Sequence, residues 1–414
     1  MQHLKCAAET AACEQESCAV TTPTPKRPPR ARIRLSLQNE PFRGLLWQIA
    51  VVAIAVAVVA WLWSNAVHNL SVRRISTGFA FLGREAGMPI VDTWLAYSPK
   101  DTYLRAFIVG IVNTLRVAVI GIVLATIIGT LVGIARLSSN WLLSRLAAVY
   151  VEVLRDIPLL LQLLFWYVMM QGLPAARTAW KPVDGVFLSN RGLIVPSIPL
   201  DGGQLWVIGT AVLGFVLFRL LRHRLIALQM QDGHPRRSWP YGLLLVIIAP
   251  AMVSWLLGVT WSVTLPELRG FNFVGGWTFA PEYFALLIAL VTYTSAFIAE
   301  IVRSGIQAVP RGQWDAAVAL GLRRSFVLKQ IVLPQALRVI VPPMTSQYLN
   351  LTKNSSLAVA IGYQDIVSVA NTTLNQTGQA MESIALIMVV FLTISLGISL
   401  FMNWYNAHIA LVER

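Results

Sequence analysis

The chain has 414 residues, 56% of them hydrophobic and only 13% charged, which leaves too little polar surface to cover a soluble globule and marks an integral membrane protein. Its net charge of +14 comes from Lys and Arg scattered in short segments between apolar runs, which is the positive-inside pattern and not the clustered basic face of a nucleic-acid binder. Three cysteines, Cys6, Cys13 and Cys18, fall in the N-terminal tail at spacings that match no zinc site, and an odd number there fits a reduced cytoplasmic segment.

Residues 1–43 are rich in Pro, Thr, Ala and Arg and are expected to be a disordered basic tail without a secretory signal. The first span is predicted at 44–63, edged by Trp47, Trp61 and Trp63 and preceded by six basic residues that place the N-terminus in the cytoplasm. A mixed polar loop follows to 102, lying against the outer face. The second span, 103–135, carries Gly110, Gly121, Gly129 and Gly133, small residues that let helices approach closely. The third begins after 150–158 and runs to about 170, with Glu152, Arg155 and Asp156 as an interfacial charge cluster at its inner end. Residues 173–204 are a polar external loop, then spans four and five, inserted within about 205–262, flank a basic cytoplasmic turn. Spans six, seven and eight are predicted at 283–302, 339–361 and 384–404, leaving 405–414 as a cytoplasmic C-terminus. The segments this model puts inside hold more than twice as many Lys and Arg residues as the loops between them.

Polar residues inside spans need a partner or a cavity. Span six has Thr292, Thr294 and Ser295, with Glu300 towards its inner end; span seven has Gln347, Asn350, Lys353 and Asn354, too polar a set for a lipid-facing helix. These residues are the candidate lining of a translocation path. Interhelical hydrogen bonding is the plainer account of the hydroxyls, whereas Lys353 with Asn354 points to a structural or gating role, with holding the substrate carboxylate as the alternative, since a buried ammonium is costly. The chain has no G-x-x-x-x-G-K-[ST], no H-E-x-x-H, no G-x-S-x-G and no Cys/His cluster, so no catalytic residue, metal site or cofactor is expected.

Between spans six and seven lies DAAVALGLRRSFVLKQIVLP, residues 315–334, too basic to be a span. Ala316 to Leu320 read as a short helix ended by Gly321, and a second piece with Phe326, Leu328, Ile331 and Leu333 runs to Pro334, which punctuates the start of span seven. Asp315, Ala316, Ala317, Gly321, Ile331, Leu333 and Pro334 together resemble the cytoplasmic "EAA" loop of bacterial ABC-importer permeases, with Asp where Glu is usual; an ordinary amphipathic interfacial helix is the alternative. Asn113-Thr114-Leu115, the segment 152–158 with Gln162, Ala299-Glu300, and 351–357 are similar to permeases for polar and general amino acids, and the extra spans match the longer membrane subunit of general L-amino acid transporters.

That resemblance implies an all-α polytopic bundle of about eight transmembrane helices with a cytoplasmic coupling helix, in the inner membrane of a bacterium. It implies a permease subunit, not an enzyme: ATP binds a separate cytoplasmic ATPase dimer, and the remaining partners are a second permease, a periplasmic binding protein and an L-amino acid substrate. The rival class is an ion-coupled secondary transporter or a channel, which a polar span seven would serve equally.

Overall fold

The computed structural model describes residues 40–72, 78–198, 202–233, 237–270 and 272–409. The expected disordered tail lies outside them except for its last residues, as do Cys6, Cys13 and Cys18 and the end of the C-terminal segment. The chain divides into two units, residues 1–75 and 76–414. In the first, α1 (Glu40–Val72) is a single helix, starting before the predicted span and outlasting it. Its 33 residues reach about 50 Å at ~1.5 Å per residue, more than a bilayer core needs.

The second unit is organised around α2 (Tyr103–Ala135) and α8 (Pro281–Gln307). Between them in sequence come α3 (Trp141–Asp156), α4 (Leu159–Gln171), three strands, β1 (Trp180–Val183), β2 (Val186–Ser189) and β3 (Gly192–Val195), then α5 (Gly202–Asp232), α6 (Trp239–Leu243) and α7 (Ala249–Leu256), and the strands β4 (Glu267–Arg269), β5 (Asn272–Val274) and β6 (Trp277–Phe279). After α8 follow α9 (Arg311–Ala319), α10 (Arg324–Val327), α11 (Leu333–Asn354), α12 (Ile366–Thr377) and α13 (Ala380–Ile409). Seven helices among the described residues are long and apolar enough to cross a membrane, or eight if α3 and α4 count as one, matching the predicted number.

The third span is not one straight helix. Pro158 lacks an N–H and holds Ile157 in an extended conformation (φ −89°, ψ 125°), so α3 stops at Asp156 and α4 leaves at 103° to it. Gln162 steadies the elbow: its Nε2 donates to the carbonyls of Leu154 (2.8 Å) and Ile157 (3.0 Å). The predicted seventh span is displaced as well. Its helix continues through Pro334 and ends at Asn354, and 355–361 is a 3-10 turn closed by Gly362. Pro334 does not break the chain because a π-helical turn, Leu328–Val332, precedes it and carries the backbone past the missing donor. The same device, Leu244–Ile248, precedes Pro250 between α6 and α7.

Two further elements depart from expectation. The external loops are partly strand: β1, β2, β3 and β6 form an antiparallel four-stranded sheet, and β4 and β5 a hairpin. The segment after residue 78, read as a loop on the outer face, is instead a strap with a buried core of its own. Phe81 is fully buried and packs edge-on against Tyr103 and Phe107, while Ala86 and Met88 join α2 and α12 in the same cluster. Gly78 N–H donates to Glu382 Oε1 at one end, and Gln364 Nε2 donates to the Pro89 carbonyl farther along.

Candidate functional site

The segment between α8 and α11 forms the surface projection that its sequence suggests, with one change: α9 starts at Arg311, four residues before Asp315. Pro310 opens it in an extended conformation, which suits proline beside a helix N-terminus. Ala317 is buried, and Trp314 half-buried, whereas Asp315 and Ala316 are exposed. Gly321 takes φ +70°, so that its N–H reaches the Val318 carbonyl (2.9 Å) and the Leu322 N–H reaches that of Ala317 (3.2 Å). Around this turn Val318, Leu320 and Phe326 are 62%, 77% and 52% exposed, an apolar crest on a basic segment. Val327 is anchored in the core; Ile331 and Pro334 are half-buried and Leu333 exposed. Behind the projection a cavity of about 1010 Å³ opens between it and the ends of α2 and α8, lined by Ile134, Ile306, Trp314 and Leu328 among others, with Arg311 and Lys329 as its cations.

The seven candidate path residues fall into two groups with opposite surroundings. Thr294 and Ser295 are buried and Thr292 half-buried in the packing of α8. The Thr292 hydroxyl donates to the Ile288 carbonyl of its own helix (2.8 Å), and the Ser295 hydroxyl lies 2.7 Å from that of Tyr150 on α3. Helix-to-helix hydrogen bonding, the plainer account, holds for Ser295, whose partner Tyr150 sequence reasoning missed, while the Thr292 hydroxyl bonds within its own helix. On α11 the arrangement is the opposite. Asn350 and Lys353 are exposed and share one face with exposed Ser346 at spacings of four and three, flanked by half-buried Gln347 and Asn354. Among the described residues the Lys353 ammonium has no hydrogen bond or ion pair. Glu300 pairs elsewhere, with Arg136 at the end of α2 and with Arg303 one turn along α8.

At the other end of α2, Asn113 and Thr114 tie together segments far apart in sequence. Asn113 Nδ2 donates to the carbonyls of Asp92 and Gln364 (both 3.0 Å), and Thr114 Oγ1 accepts the Ile366 N–H (3.1 Å). Asp365 caps α12, its Oδ1 accepting the Ser368 N–H at 2.8 Å, and burial pushes its carboxyl up to about 7. Neither α12 nor this knot was visible in the sequence, where the segment between the seventh and eighth spans carries no assignment. Arg116, a charge within a long apolar run, was the available signal.

Comparison with known proteins gives one family and several full-length relatives. Residues 237–410 match the model for a binding-protein-dependent transport system inner membrane component. The chain is 52% identical to YhdX of Escherichia coli (strain K12) over 92% of its own length and 97% of that protein. It is 44% identical to the general L-amino acid transport system permease protein AapQ of Rhizobium johnstonii, over 92% of this chain and 96% of that one. To the glutamate/glutamine/aspartate/asparagine transport system permease protein BztB of Rhodobacter capsulatus the identity is 41%, over 94% and 99% of the two chains.

Proposed function

The chain belongs to the amino-acid ABC transporter permeases, and from that premise we propose that it forms one half of an L-amino acid path through the inner membrane, driven by a separate ATPase docked on residues 311–334. As an ABC permease it is a multi-pass membrane subunit that works with an ATPase and a substrate-binding protein. The observation that carries the docking assignment is the exposed crest of Val318, Leu320 and Phe326 around Gly321, beside the exposed Asp315. An apolar crest on a loop that sequence places in the cytoplasm needs a groove to enter, and a helix-in-groove contact would pass a push on α9 through the Leu328–Val332 turn into α11.

The other half of the path would come from a second, similar permease. Support comes from the Ser346, Asn350 and Lys353 face of α11: amide and ammonium groups turned outward from a spanning helix are costly against lipid and favourable against water or a polar partner. In this reading Lys353, Asn350, Gln347 and Asn354 line the path from α11, Ser295 ties α8 to α3 behind it with Thr292 and Thr294 beside it on α8, and both termini lie in the cytoplasm. Co-purification tests the docking. The wild-type chain should retain its ATPase in detergent and Asp315→Lys should lose it; full retention by the variant would take the docking away from this face.

A further inference from the structure

Beneath the inserted sheet the strap and α2 meet in a buried ion pair. Arg116 Nη1 donates to Asp92 Oδ1 at 2.7 Å, with the two side chains 2% and 12% exposed. Three aromatic rings enclose the guanidinium: its Cζ lies 4.0 Å from the ring centre of Tyr283, 4.7 Å from Trp94 and 5.4 Å from Phe279. The pairing is single-stranded, although Arg and a carboxylate readily form two parallel bonds when holding each other is their whole purpose. Asp92 Oδ2 and Arg116 Nε consequently have no hydrogen-bond partner among the described residues. A buried acceptor and a buried donor left open within one ion pair are each costly, and a ligand offering the complementary pair would satisfy both.

There is room for one. A cavity of about 640 Å³, within the usual size range of small-molecule sites, is lined by Asp92, Trp94, Arg116, Ile120, Trp277 and Phe279. A second, of about 560 Å³ and more polar, reaches the same place from the side of Asn190, Arg191 and Glu282, and Asp92, Thr93 and Thr278 line both. The ion pair thus stands where a polar antechamber meets an aromatic pocket. The roof is β6, held to β3 in the sheet that the inserted segment contributes.

We propose that Asp92, Arg116 and Trp94 form an outer staging subsite that holds the ammonium and carboxylate of an α-amino acid before it passes to the membrane path. A small rotation of the two side chains towards the cavity turns Asp92 Oδ2 to accept from the ammonium and Arg116 Nε to donate to the carboxylate, and the rings of Trp94 and Trp277 border the pocket where the side chain lies, without selecting a particular one. This rests on the amino-acid permease reading.

The test uses the assembled transporter in membrane vesicles, with Cys6, Cys13 and Cys18 changed to Ser and Thr278→Cys, at an exposed position lining both cavities, as the reporter. Millimolar L-glutamine should slow maleimide labelling of that cysteine at least fivefold, and glutaramate, the same molecule without its α-amino group, should not. Adding Asp92→Asn, which keeps the side-chain shape and an acceptor for Arg116, should abolish the protection by L-glutamine. Equal protection by the two compounds, or none by either, overturns the subsite; if Asp92→Asn does not assemble, the comparison of the two compounds decides alone. Uptake of labelled L-glutamine, measured in the same vesicles, separates the two readings. Protection without uptake contradicts the transport assignment and leaves the subsite standing, and uptake without protection does the reverse.

Discussion

Gly133 on α2 lies so close to Ala299 on α8 that a Cβ added to it would stand 2.7 Å from the Ala299 carbonyl oxygen and 2.9 Å from the Val302 Cβ. Gly129, one turn earlier, meets Ile298 Cβ and the Ser295 carbonyl oxygen at 2.7 and 2.8 Å. Two glycines four residues apart set the separation of these two helices. Because the obstacles are backbone and β-branched atoms, Gly133→Val must part the helices, at a cost on the order of 1–3 kcal/mol. The melting temperature of the purified protein should fall by several degrees, and by less for Gly133→Ala. An unchanged melting temperature for Val would mean that the helices do not pack this way.

Gly321 presents the opposite case. No neighbouring atom lies within 4 Å of where its Cβ would be, so the only obstacle to substitution is its φ of +70°. A β-branched residue there costs about 1–2 kcal/mol locally and re-aims α9 against α10. Gly321→Val is therefore expected to insert and accumulate normally yet lose transport, while Gly321→Asn, which tolerates the left-handed region, keeps most of it. Normal uptake by the Val variant would remove the turn from the coupling account.

Lys353, in the last turn of α11, is exposed and has no ion-pair partner among the described residues. A structural role would require a buried partner for it, and Glu300 is already held by Arg136 and Arg303. Lys353→Met should therefore leave abundance and ATPase association unchanged and reduce uptake. Reduced abundance would return the residue to a structural role, and normal uptake would take it out of the path.

Asp365 makes stability depend on pH with a definite sign. Its carboxyl titrates near 3.8 when free and about 7 in the fold, so its favourable contribution is complete below about pH 4 and is lost as the pH rises to about 7. Asp365→Asn keeps a cap acceptor for the Ser368 N–H and carries no charge. It should raise the melting temperature at pH 8, leave it little changed near pH 4, and flatten the slope between. An unaltered slope would place the pH dependence elsewhere.

Much of this architecture can be read from the residues, because about twenty apolar residues in a row are a strong signal and Gly321 at its spacing from Asp315 is another. What escaped has physical reasons. The strands are only three or four residues long, too short for alternation to announce them, and the β3–β6 pairing joins segments on either side of the inserted helices. In α12 the run IVSVANTTLNQT buries Ile366, Val369, Ala370 and Thr373 at helical spacing, but Ser, Thr and Asn dominate the eye. The hydroxyls of α8 and the polar face of α11 are alike as composition. Only position separates them, since Thr294 and Ser295 face packed helices while Ser346, Asn350 and Lys353 recur along the face that this chain leaves uncovered. Arg116 does not stand out, because the apolar run around it is long enough to absorb one charge and still read as a span.

In the proposed function, ATP hydrolysis on a partner, delivered through α9 and the Gly321 turn, drives amino-acid movement past α11. This coupling is tested most directly by uptake of radiolabelled L-amino acids into vesicles holding the complete complex, with and without ATP, and with Asp315→Lys in place of the wild-type chain. The account predicts uptake that requires ATP, is indifferent to proton or sodium gradients, and disappears in Asp315→Lys although the chain is still inserted. Uptake driven by an ion gradient in the absence of ATP, or ATP-driven uptake that survives the charge reversal, would contradict it.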